Sequence, residues 1–303
     1  MSEKEQSGVL PIDKPQGMTS HDVVGRIRRL YGTRRVGHTG TLDPMATGVL
    51  VVLVGRAAKA AEYLVSDKKC YRAELTLGLT TDTEDSTGTV LSRADSLPSA
   101  DEVMHTVAGF VGKIKQVPPM YSALKVGGKK LVDLARRGIE IEREAREITI
   151  YGIDCTPVDE RRYSLTVTCS SGTYIRTLCA DIGRALGVGG VMSALRRLEA
   201  GGFSLENATT IEALEAATEE ERAAKLIPTE ALFAELPLLP LPAFYERLSR
   251  NGCEIYLKKL GVSHPVGARL RLASSTGDFF ALGEVRAFEE GLAVKAIKTF
   301  DIE

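Results

Sequence analysis

The sequence predicts an α/β protein of the α+β type, in which a mixed, largely antiparallel sheet is followed by a small C-terminal β-barrel. Apolar strand segments and amphipathic helices occur along residues 8–203 without the regular strand–helix–strand alternation of a parallel sheet. After four prolines between residues 228 and 242, the chain changes to three short alternating strands separated by glycine turns. These patterns predict a large domain over 8–236 and a small barrel over 244–303.

The N-terminal elements follow from apolar periodicity and composition. Residues 8–14 have the pattern of a short strand, and residues 21–31 have the helical spacing of an element with one buried and one basic face. A Gly- and Thr-rich loop over 37–48 then precedes the apolar segment VLVVLVG, which is typical of a buried strand. Because that loop composition is poor for both helix and regular strand, we expect Asp43 on a tight loop against a core strand.

The later elements are predicted from the same two periodicities. In chain order they are a helix over 57–64, a strand over 71–79, a turn over 82–88, a helix over 98–110, a Pro-rich extended segment over 116–126, strands over 148–154 and 163–170, and a helix over 174–186. The acidic segment 208–226 has strong helix propensity and is expected to form one helix. The barrel strands are expected over 268–273, 279–285 and 292–300.

Composition narrows the class of protein. The 303 residues are 44% hydrophobic and 26% charged, which is typical of a globular chain. Five scattered cysteines without a C-x-x-C pair argue against a disulfide framework or a zinc site and fit a reducing cytosol. The four histidines are too far apart in sequence for a metal-ligand pattern. No apolar run approaches the ~20 residues of a membrane helix, and the polar, acidic N-terminus is unlike a secretory signal. We therefore expect a cytoplasmic protein without metal or membrane partner.

Charge is unevenly distributed, although the net charge is only −1. Residues 113–139 carry seven lysines and arginines against Asp133 alone, whereas residues 206–235 carry eight glutamates against Arg222 and Lys225. One surface can therefore be basic enough for a nucleic acid while another is acidic. Two ordinary solvated faces would give the same pattern, and charge alone leaves both interpretations open.

A few polar residues could carry chemistry. Asp43 before a proline can be a turn former, or a catalytic carboxylate if a cation lies beside it in a dry pocket. Arg176 could supply that cation or bind a phosphate, or lie on the surface without a partner. Tyr71 follows two lysines and could stack on a base or simply pack. Lys125 could contact a phosphate, and His38 could donate to a phosphate or a base or be structural.

Several sequence segments, in the same order, resemble the TruB family of pseudouridine synthases. They are GVLPIDKPQGMTSHDVV (8–24), RRVGHTGTLDPMATGVLVVLVGRAAK (34–59), KKCYRAELTLGLTTDTEDSTG (68–88), QVPPMYSALKVGGKKLVDLARRG (116–138), CSSGTYIRTLCADIGRALG (169–187) and LRRLEAGGF (195–203). The match over 34–59 is long and specific. Residues 244–303 are similar, more weakly, to the PUA-like RNA-binding barrel of the family.

The resemblance implies an enzyme that flips uridine-55 out of the T loop of tRNA and isomerises it to pseudouridine, without cofactor or metal. It implies that Asp43 is the catalytic aspartate, that Tyr71 stacks on the target base, and that Arg176 pairs with the carboxylate. It also implies that His38 holds the flipped nucleotide, that Tyr174 and Leu195 line the uridine pocket, and that Lys14 packs beneath the active site. The basic segment 113–139 would be a flap-like insertion.

Two other functions stay open on the residues alone. A tRNA-binding or RNA-folding protein could use the same surface without catalysis. A small-molecule enzyme such as a sugar-phosphate lyase could use a basic pocket, but it would not need the basic segment 113–139 or a terminal barrel. The expected partner is the T stem-loop of tRNA, bound by a monomer.

Overall fold

The computed structural model describes residues 6–64, 68–122 and 124–300. In chain order, the strands are β1 (Gly8–Lys14), β2 (Val36–His38), β3 (Thr47–Val54), β4 (Lys68–Leu77), β5 (Leu79–Thr81), β6 (Val90–Arg93), β7 (Gly112–Gln116), β8 (Lys125–Val126), β9 (Lys129–Lys130), β10 (Arg146–Pro157), β11 (Arg162–Ser170), β12 (Gly190–Ala200), β13 (Phe203–Ser204), β14 (Leu238–Pro240), β15 (Ile255–Tyr256), β16 (Arg269–Ala273), β17 (Phe279–Phe288) and β18 (Gly291–Thr299). The helices are α1 (Ser20–Leu30), α2 (Ala100–Ala108), α3 (Leu131–Ala135), α4 (Ile175–Ala185), α5 (Ile211–Ala216), α6 (Glu219–Ala224), α7 (Ala243–Arg250) and α8 (Leu257–Leu260), with 3₁₀ helices at Gly55–Tyr63, Leu205–Asn207 and Thr229–Phe233.

The larger sheet is mixed and largely antiparallel, which confirms the predicted fold class. Its strand order is β1-β3-β12-β4-β11-β10-β7, with β2 beside β3 and β13 beside β12. Among the described strand pairs of this sheet, only that of β12 with β3 is parallel, and it joins just two residue pairs, Arg196 with Thr47 and Arg197 with Gly48. This short parallel contact therefore lies directly after the loop that carries Asp43.

Helices α1 and α4 pack on one face of this sheet and form its main core. Val23 and Ile27 of α1 and Leu178 and Ile182 of α4 belong to one buried apolar cluster with the sheet. Helix α1 begins with a capping box because the side chain of Thr19 accepts the N–H of residue 22, whose carboxylate in turn accepts the N–H of Thr19. The predicted helices over 21–31 and 174–186 are thus present with shifts of one residue at their ends.

Two of the helix predictions need correction. The single helix expected over 208–226 is wrong, because α5 ends at Ala216 and Ala217 is extended. Thr218 then caps α6 with a second capping box, so a strong N-cap interrupts a segment of high helix propensity. The helix expected over 57–64 is a 3₁₀ helix that begins at Gly55. Among the described residues of 113–139, the chain forms β7, the β8–β9 hairpin and α3.

The C-terminal sheet has the order β14-β16-β17-β18-β15 and contains the three predicted strands. Its curled half-barrel shape agrees with the expected PUA-like barrel. Strand β14 comes from the proline-rich segment and pairs in parallel with β16. Among the described residues, no helix has both the length and the apolar character needed to cross a membrane.

An aromatic seam packs between the C-terminal sheet and the first 3₁₀ helix. We use this name for Phe233, Phe279 and Phe300, whose ring centroids lie 5.5–6.0 Å apart. The seam belongs to a buried cluster that includes Ala60 of the first 3₁₀ helix. Beside it, Lys298 of β18 forms an ion pair with Glu62. The larger sheet and the C-terminal sheet are therefore linked by a packed apolar cluster and an ion pair, in addition to the connecting chain.

Candidate active site

Asp43 lies on a loop between β2 and β3 that is fastened to the start of α1. The N–H of Leu42 donates to Ser20 Oγ at 2.9 Å, and the Ser20 hydroxyl donates to the Leu42 carbonyl at 3.1 Å. The N–H of Gly17 donates to the Pro44 carbonyl at 2.8 Å. The Asp43 carbonyl accepts the N–H three residues on, at 3.0 Å, so its backbone closes a turn. The turn-forming role of Asp43 therefore coexists with a side chain that faces the pocket.

Arg197 of β12 fixes the same loop from the other side. Its guanidinium donates to the carbonyls of Val49 at 2.7 Å, Thr41 at 3.3 Å and Gly40 at 3.1 Å. The residue is only 2% exposed, so these three acceptors replace the water that a charged group requires. Arg197 lies in the segment LRRLEAGGF (195–203), and no role for it was predicted from the sequence. Its signal was a charged residue inside an otherwise strand-like, half-buried pattern.

Arg176, in the first turn of α4, holds the Asp43 carboxylate. Its Nη2 lies 3.3 Å from Asp43 Oδ2, and its Nη1 lies 3.7 Å from Asp85 Oδ2. The Nη2 also donates to the Tyr121 carbonyl at 2.5 Å. The Arg176 side chain is 6% exposed and that of Asp43 is 36% exposed, so the pair joins a buried cation to a carboxylate that solvent and substrate can reach.

Asp85, on the turn after β5, is a buried acid that sequence analysis missed. Its Oδ1 accepts hydrogen bonds from the Thr83 hydroxyl at 2.8 Å, the Thr87 N–H at 2.9 Å and the Thr87 hydroxyl at 2.6 Å. These bonds leave Oδ2 facing Arg176. The segment DTEDSTG was interpreted only as a turn, although an aspartate with threonines two residues away on both sides is typical of a side chain fixed by its own turn.

Glu84, the residue before Asp85, is the other unusual part of this turn. It has a φ of +63°, which is the only positive φ among the described non-glycine residues. Its Oε2 accepts the Thr177 hydroxyl of α4 at 2.5 Å. Burial raises the pKa of Glu84, and the Thr177 hydrogen bond and the nearby Arg176 partly oppose this rise. The turn is thereby attached to the helix that carries the buried arginine.

A pocket of about 270 Å³ opens beside Asp43. Five of the eight predicted site residues line it, namely Asp43, Tyr71, Tyr174, Arg176 and Leu195, and Arg197 and Ser122 line it as well. Tyr71 of β4 is 7% exposed, and burial raises the pKa of its phenol although the nearby Arg197 opposes this. The Tyr71 hydroxyl is therefore neutral near pH 7. It packs against the core and borders the pocket at the same time.

Tyr174 is positioned by Gln116, a contact that the sequence did not indicate. The Tyr174 N–H donates to Gln116 Oε1 at 2.8 Å, and Gln116 Nε2 donates to the Tyr174 carbonyl at 3.1 Å. Gln116 is 2% exposed and lies at the end of β7. Tyr174 precedes α4, so this amide clamp fixes the start of the helix that presents Arg176.

Lys14 and His38 are not among the described residues that line the pocket. Lys14 is fully buried, and its ammonium donates to the carbonyls of Pro15, Met18 and Pro44 at 2.9, 2.7 and 3.4 Å. Burial lowers the pKa of Lys14 to about 8, although Asp43 nearby raises it. The ammonium therefore ties the loop residue after Asp43 to the chain before α1.

His38 ends β2, and its Nδ1 is shielded from water without a hydrogen-bond partner in the described chain. Burial, helped by the cationic Arg197, lowers the pKa of His38, so the imidazole is neutral near pH 7. The predicted contact of Lys125 with phosphate concerns a side chain that lies outside the described residues. Among the described residues, no group of three or more His, Cys, Asp or Glu side chains could hold a metal ion.

A solvent-reachable carboxylate against a buried arginine, with a neutral phenol on the same pocket wall, is an arrangement that can supply a nucleophile or stabilise developing charge. Comparison with known proteins identifies the family to which the chain belongs. Residues 28–175 match the model of the TruB family pseudouridylate synthase N-terminal domain, and residues 176–234 match the tRNA pseudouridylate synthase B C-terminal domain.

Individual relatives agree with this match. The chain is 46% identical over 263 residues to tRNA pseudouridine synthase B of Alkaliphilus oremlandii, covering 86% of this chain and 87% of the relative. It is 44% identical over 292 residues to the protein of that name from Syntrophotalea carbinolica, covering 95% and 87%. A crystal structure of a Cbf5–Nop10–Gar1 complex matches with a TM-score of 0.75 at 27% identity, covering 98% of this chain and 85% of the other. The chain belongs to the TruB family of pseudouridylate synthases, and it is therefore an isomerase that forms pseudouridine.

Proposed function

We propose that this enzyme isomerises uridine-55 in the T loop of tRNA, and that Asp43 is the residue on which the reaction depends. The observation that carries the proposal is the 3.3 Å contact between Asp43 and the buried Arg176 at the wall of a concave pocket. The relatives at 44–46% identity are named tRNA pseudouridine synthase B, which supports tRNA as the substrate.

The reaction requires the target base to leave its stack. A nucleotide inside a folded loop reaches a pocket of this kind only by flipping, at a cost of a few kcal/mol. Tyr71 offers a ring at the pocket wall that replaces the lost stacking partner. Leu195, Met192 and Ile175 supply apolar surface around it. Tyr174 closes the pocket beside the start of α4.

The chemical step conserves all atoms of the nucleotide. The N1–C1′ bond breaks, the uracil turns within the pocket, a C5–C1′ bond forms, and the proton on C5 leaves while N1 gains one. Asp43 supplies the negative charge that attacks or stabilises the electron-poor centre created when the first bond breaks. Arg176 orients this carboxylate, and Asp85 restrains the far side of the guanidinium.

Binding of the tRNA depends on cations around the pocket. Lys69 lines the pocket and also donates to Ser171 at 3.0 Å. The basic segment 113–139 continues this surface, and the C-terminal barrel is proposed as a second RNA-binding region. Because such contacts release counterions, tRNA affinity should fall steeply with salt. We further propose that the enzyme is a cytoplasmic monomer, and size-exclusion chromatography with light scattering would measure its oligomeric state.

The test is to map pseudouridine in an unmodified tRNA transcript after incubation with enzyme. We expect modification at position 55 with the wild type and none with Asp43→Asn, which removes a charge but keeps the side-chain size. Asp154→Asn is the matched control, because Asp154 is exposed on β10. Pseudouridine formed by Asp43→Asn at a rate near that of the wild type would refute the role of Asp43.

A filter-binding measurement on the same proteins tests the alternative of tRNA binding without catalysis. Asp43→Asn should bind tRNA nearly as well as the wild type, because its phosphate contacts are intact. Tight binding by a wild type that forms no pseudouridine in any tRNA would favour the alternative. Modification at a position other than 55 would leave the enzyme class intact and correct the substrate site.

A further inference from the structure

One hydroxyl on the pocket wall has no role in the contacts described above. Ser122 lines the pocket together with Asp43 and Arg176, yet the residue is only 4% exposed. Its Oγ is shielded from water and has no hydrogen-bond partner in the part of the chain that the structure describes. A buried hydroxyl without a partner costs stability, so its presence needs a reason.

The position of Ser122 is fixed by backbone contacts on both sides. Its N–H donates to the Met120 carbonyl at 2.9 Å, and its carbonyl accepts the Val132 N–H of α3 at 3.0 Å. The carbonyl of the preceding Tyr121 accepts the 2.5 Å bond from Arg176. The Ser122 side chain is thus held beside the guanidinium that orients Asp43, although the two arise from distant parts of the sequence.

The other water-shielded polar atoms on the pocket wall that have no hydrogen-bond partner lie beside groups that account for their position. The Thr173 hydroxyl lies beside the Cys169 thiol, where its contact lowers the pKa of that thiol against the larger effect of burial. The Nε of Arg176 belongs to a guanidinium whose Nη2 contacts Asp43 and Tyr121 and whose Nη1 faces Asp85. Among the described residues that line the pocket, Ser122 is the one whose water-shielded hydroxyl has no such neighbour.

We propose that the Ser122 hydroxyl is a substrate contact that forms its hydrogen bond with the flipped uridine. This inference rests on the proposed function, because it requires a uridine in the pocket. A uridine offers suitable partners, namely the uracil carbonyls and N3–H and the ribose hydroxyls, whereas an apolar ligand would leave the hydroxyl unpaired. Ser122 would therefore contribute to selection of the nucleotide, because a site with a buried hydrogen-bonding group rejects ligands that cannot satisfy it.

Ser122→Ala separates a substrate contact from a packing role. Removal of an unsatisfied hydroxyl should leave the thermal midpoint unchanged or slightly higher, since nothing in the free protein bonds to it. Loss of one neutral hydrogen bond to the substrate should lower kcat/KM about tenfold. A residue that serves only the fold would give the opposite pattern, with a lower midpoint and normal activity.

Ser249→Ala is the matched control. Ser249, on α7 of the C-terminal domain, is 2% exposed and also has a shielded Oγ without a partner among the described residues. Both substitutions should have the same small effect on the thermal midpoint, but only Ser122→Ala should lower kcat/KM. Should Ser122→Ala destabilise the protein, Ser122→Cys keeps the volume with a much weaker donor and should show the same kinetic loss at the wild-type midpoint.

Equilibrium binding identifies the partner on the nucleotide. Binding of a T-stem-loop hairpin carrying uridine, and of one carrying 2′-deoxyuridine at the target position, is compared between Asp43→Asn and Asp43→Asn/Ser122→Ala, because an inactive enzyme leaves the uridine intact. A Ser122 effect that disappears with the deoxynucleotide assigns the bond to the ribose, and an effect that persists assigns it to the uracil.

An active wild type with unchanged kcat/KM in Ser122→Ala and Ser122→Cys would overturn this inference alone. A wild type that forms no pseudouridine would overturn the proposed function, and this inference with it.

Discussion

Gly48 gives the most demanding test of how the loop that carries Asp43 is held. It lies in β3 where that strand meets β12, and its φ is +101°. A Cβ at this position would lie 2.2 Å from the Arg197 carbonyl oxygen and 2.7 Å from the Arg197 nitrogen. Gly48→Ala therefore strains the local backbone and also forces β12 away from β3.

The size of the effect follows from these two costs. Holding a non-glycine residue in such a conformation costs about 1–3 kcal/mol. Relief of the overlap requires a backbone shift, because the neighbour is main chain, and such overpacking costs about 1–3 kcal/mol more. The sum of roughly 2–6 kcal/mol is a large part of a typical stability of about 5–15 kcal/mol. At about 2 °C per kcal/mol for a chain of this size, the melting temperature should fall by about 4–12 °C.

Differential scanning calorimetry of Gly48→Ala, with Gly37→Ala as control, measures this. A Cβ at Gly37 in β2 would meet no atom within 4 Å, so that substitution should be nearly neutral. The folded fraction of Gly48→Ala should also lose activity, because Arg197 would no longer hold the carbonyls of the loop before Asp43. Equal melting temperatures for the two variants would refute the reasoning.

Further predictions concern residues around the pocket. Asp85→Asn removes a charge 3.7 Å from Arg176 and should lower kcat about 10- to 100-fold with little change in KM, measured by single-turnover kinetics. Because burial lowers the pKa of His38 below its usual 6.5, the unfolded chain binds more protons as the pH falls through 6.5, and stability is lost there. Urea unfolding of His38→Gln should thus be less sensitive than the wild type to a change from pH 7.5 to 5.5; equal sensitivity would contradict this. Lys14→Met leaves the carbonyls of Pro15 and Met18 without their donor and should lower the free energy of unfolding by about 1–3 kcal/mol, which urea unfolding also measures.

Much of the fold could be predicted because strands and helices leave a local periodic signal. The strand over 8–14 and the helix over 21–31 needed only apolar spacing and a capping residue. The prediction of a single helix over 208–226 was wrong. Helix propensity is summed over a stretch of residues, whereas a single N-cap at Thr218 decides where a helix begins. Sheet order was not predictable, since the contact of β3 with β12 joins residues about 150 positions apart.

The same distinction between local sequence pattern and long-range contact separates the site residues that could be predicted from those that were missed. Asp43, Tyr71 and Arg176 could be proposed because each lies in a distinctive segment that resembles a known family. Asp85 and Gln116 were missed because their roles exist only in contacts with residues far away in sequence. An aspartate in a turn and a glutamine at a strand end look ordinary until the chain is folded. Long-range side-chain pairing was therefore the information that local pattern did not contain.

The aromatic seam has a practical consequence for experiments that truncate this protein. A chain cut near residue 240 would expose Phe233 on one fragment and Phe279 and Phe300 on the other. It would also separate Lys298 from Glu62. Apolar rings uncovered in this way promote self-association. A shortened protein could therefore lose RNA affinity because it aggregates, and not only because an RNA contact is missing. Point substitutions in the intact chain are the better test of whether the C-terminal barrel binds RNA.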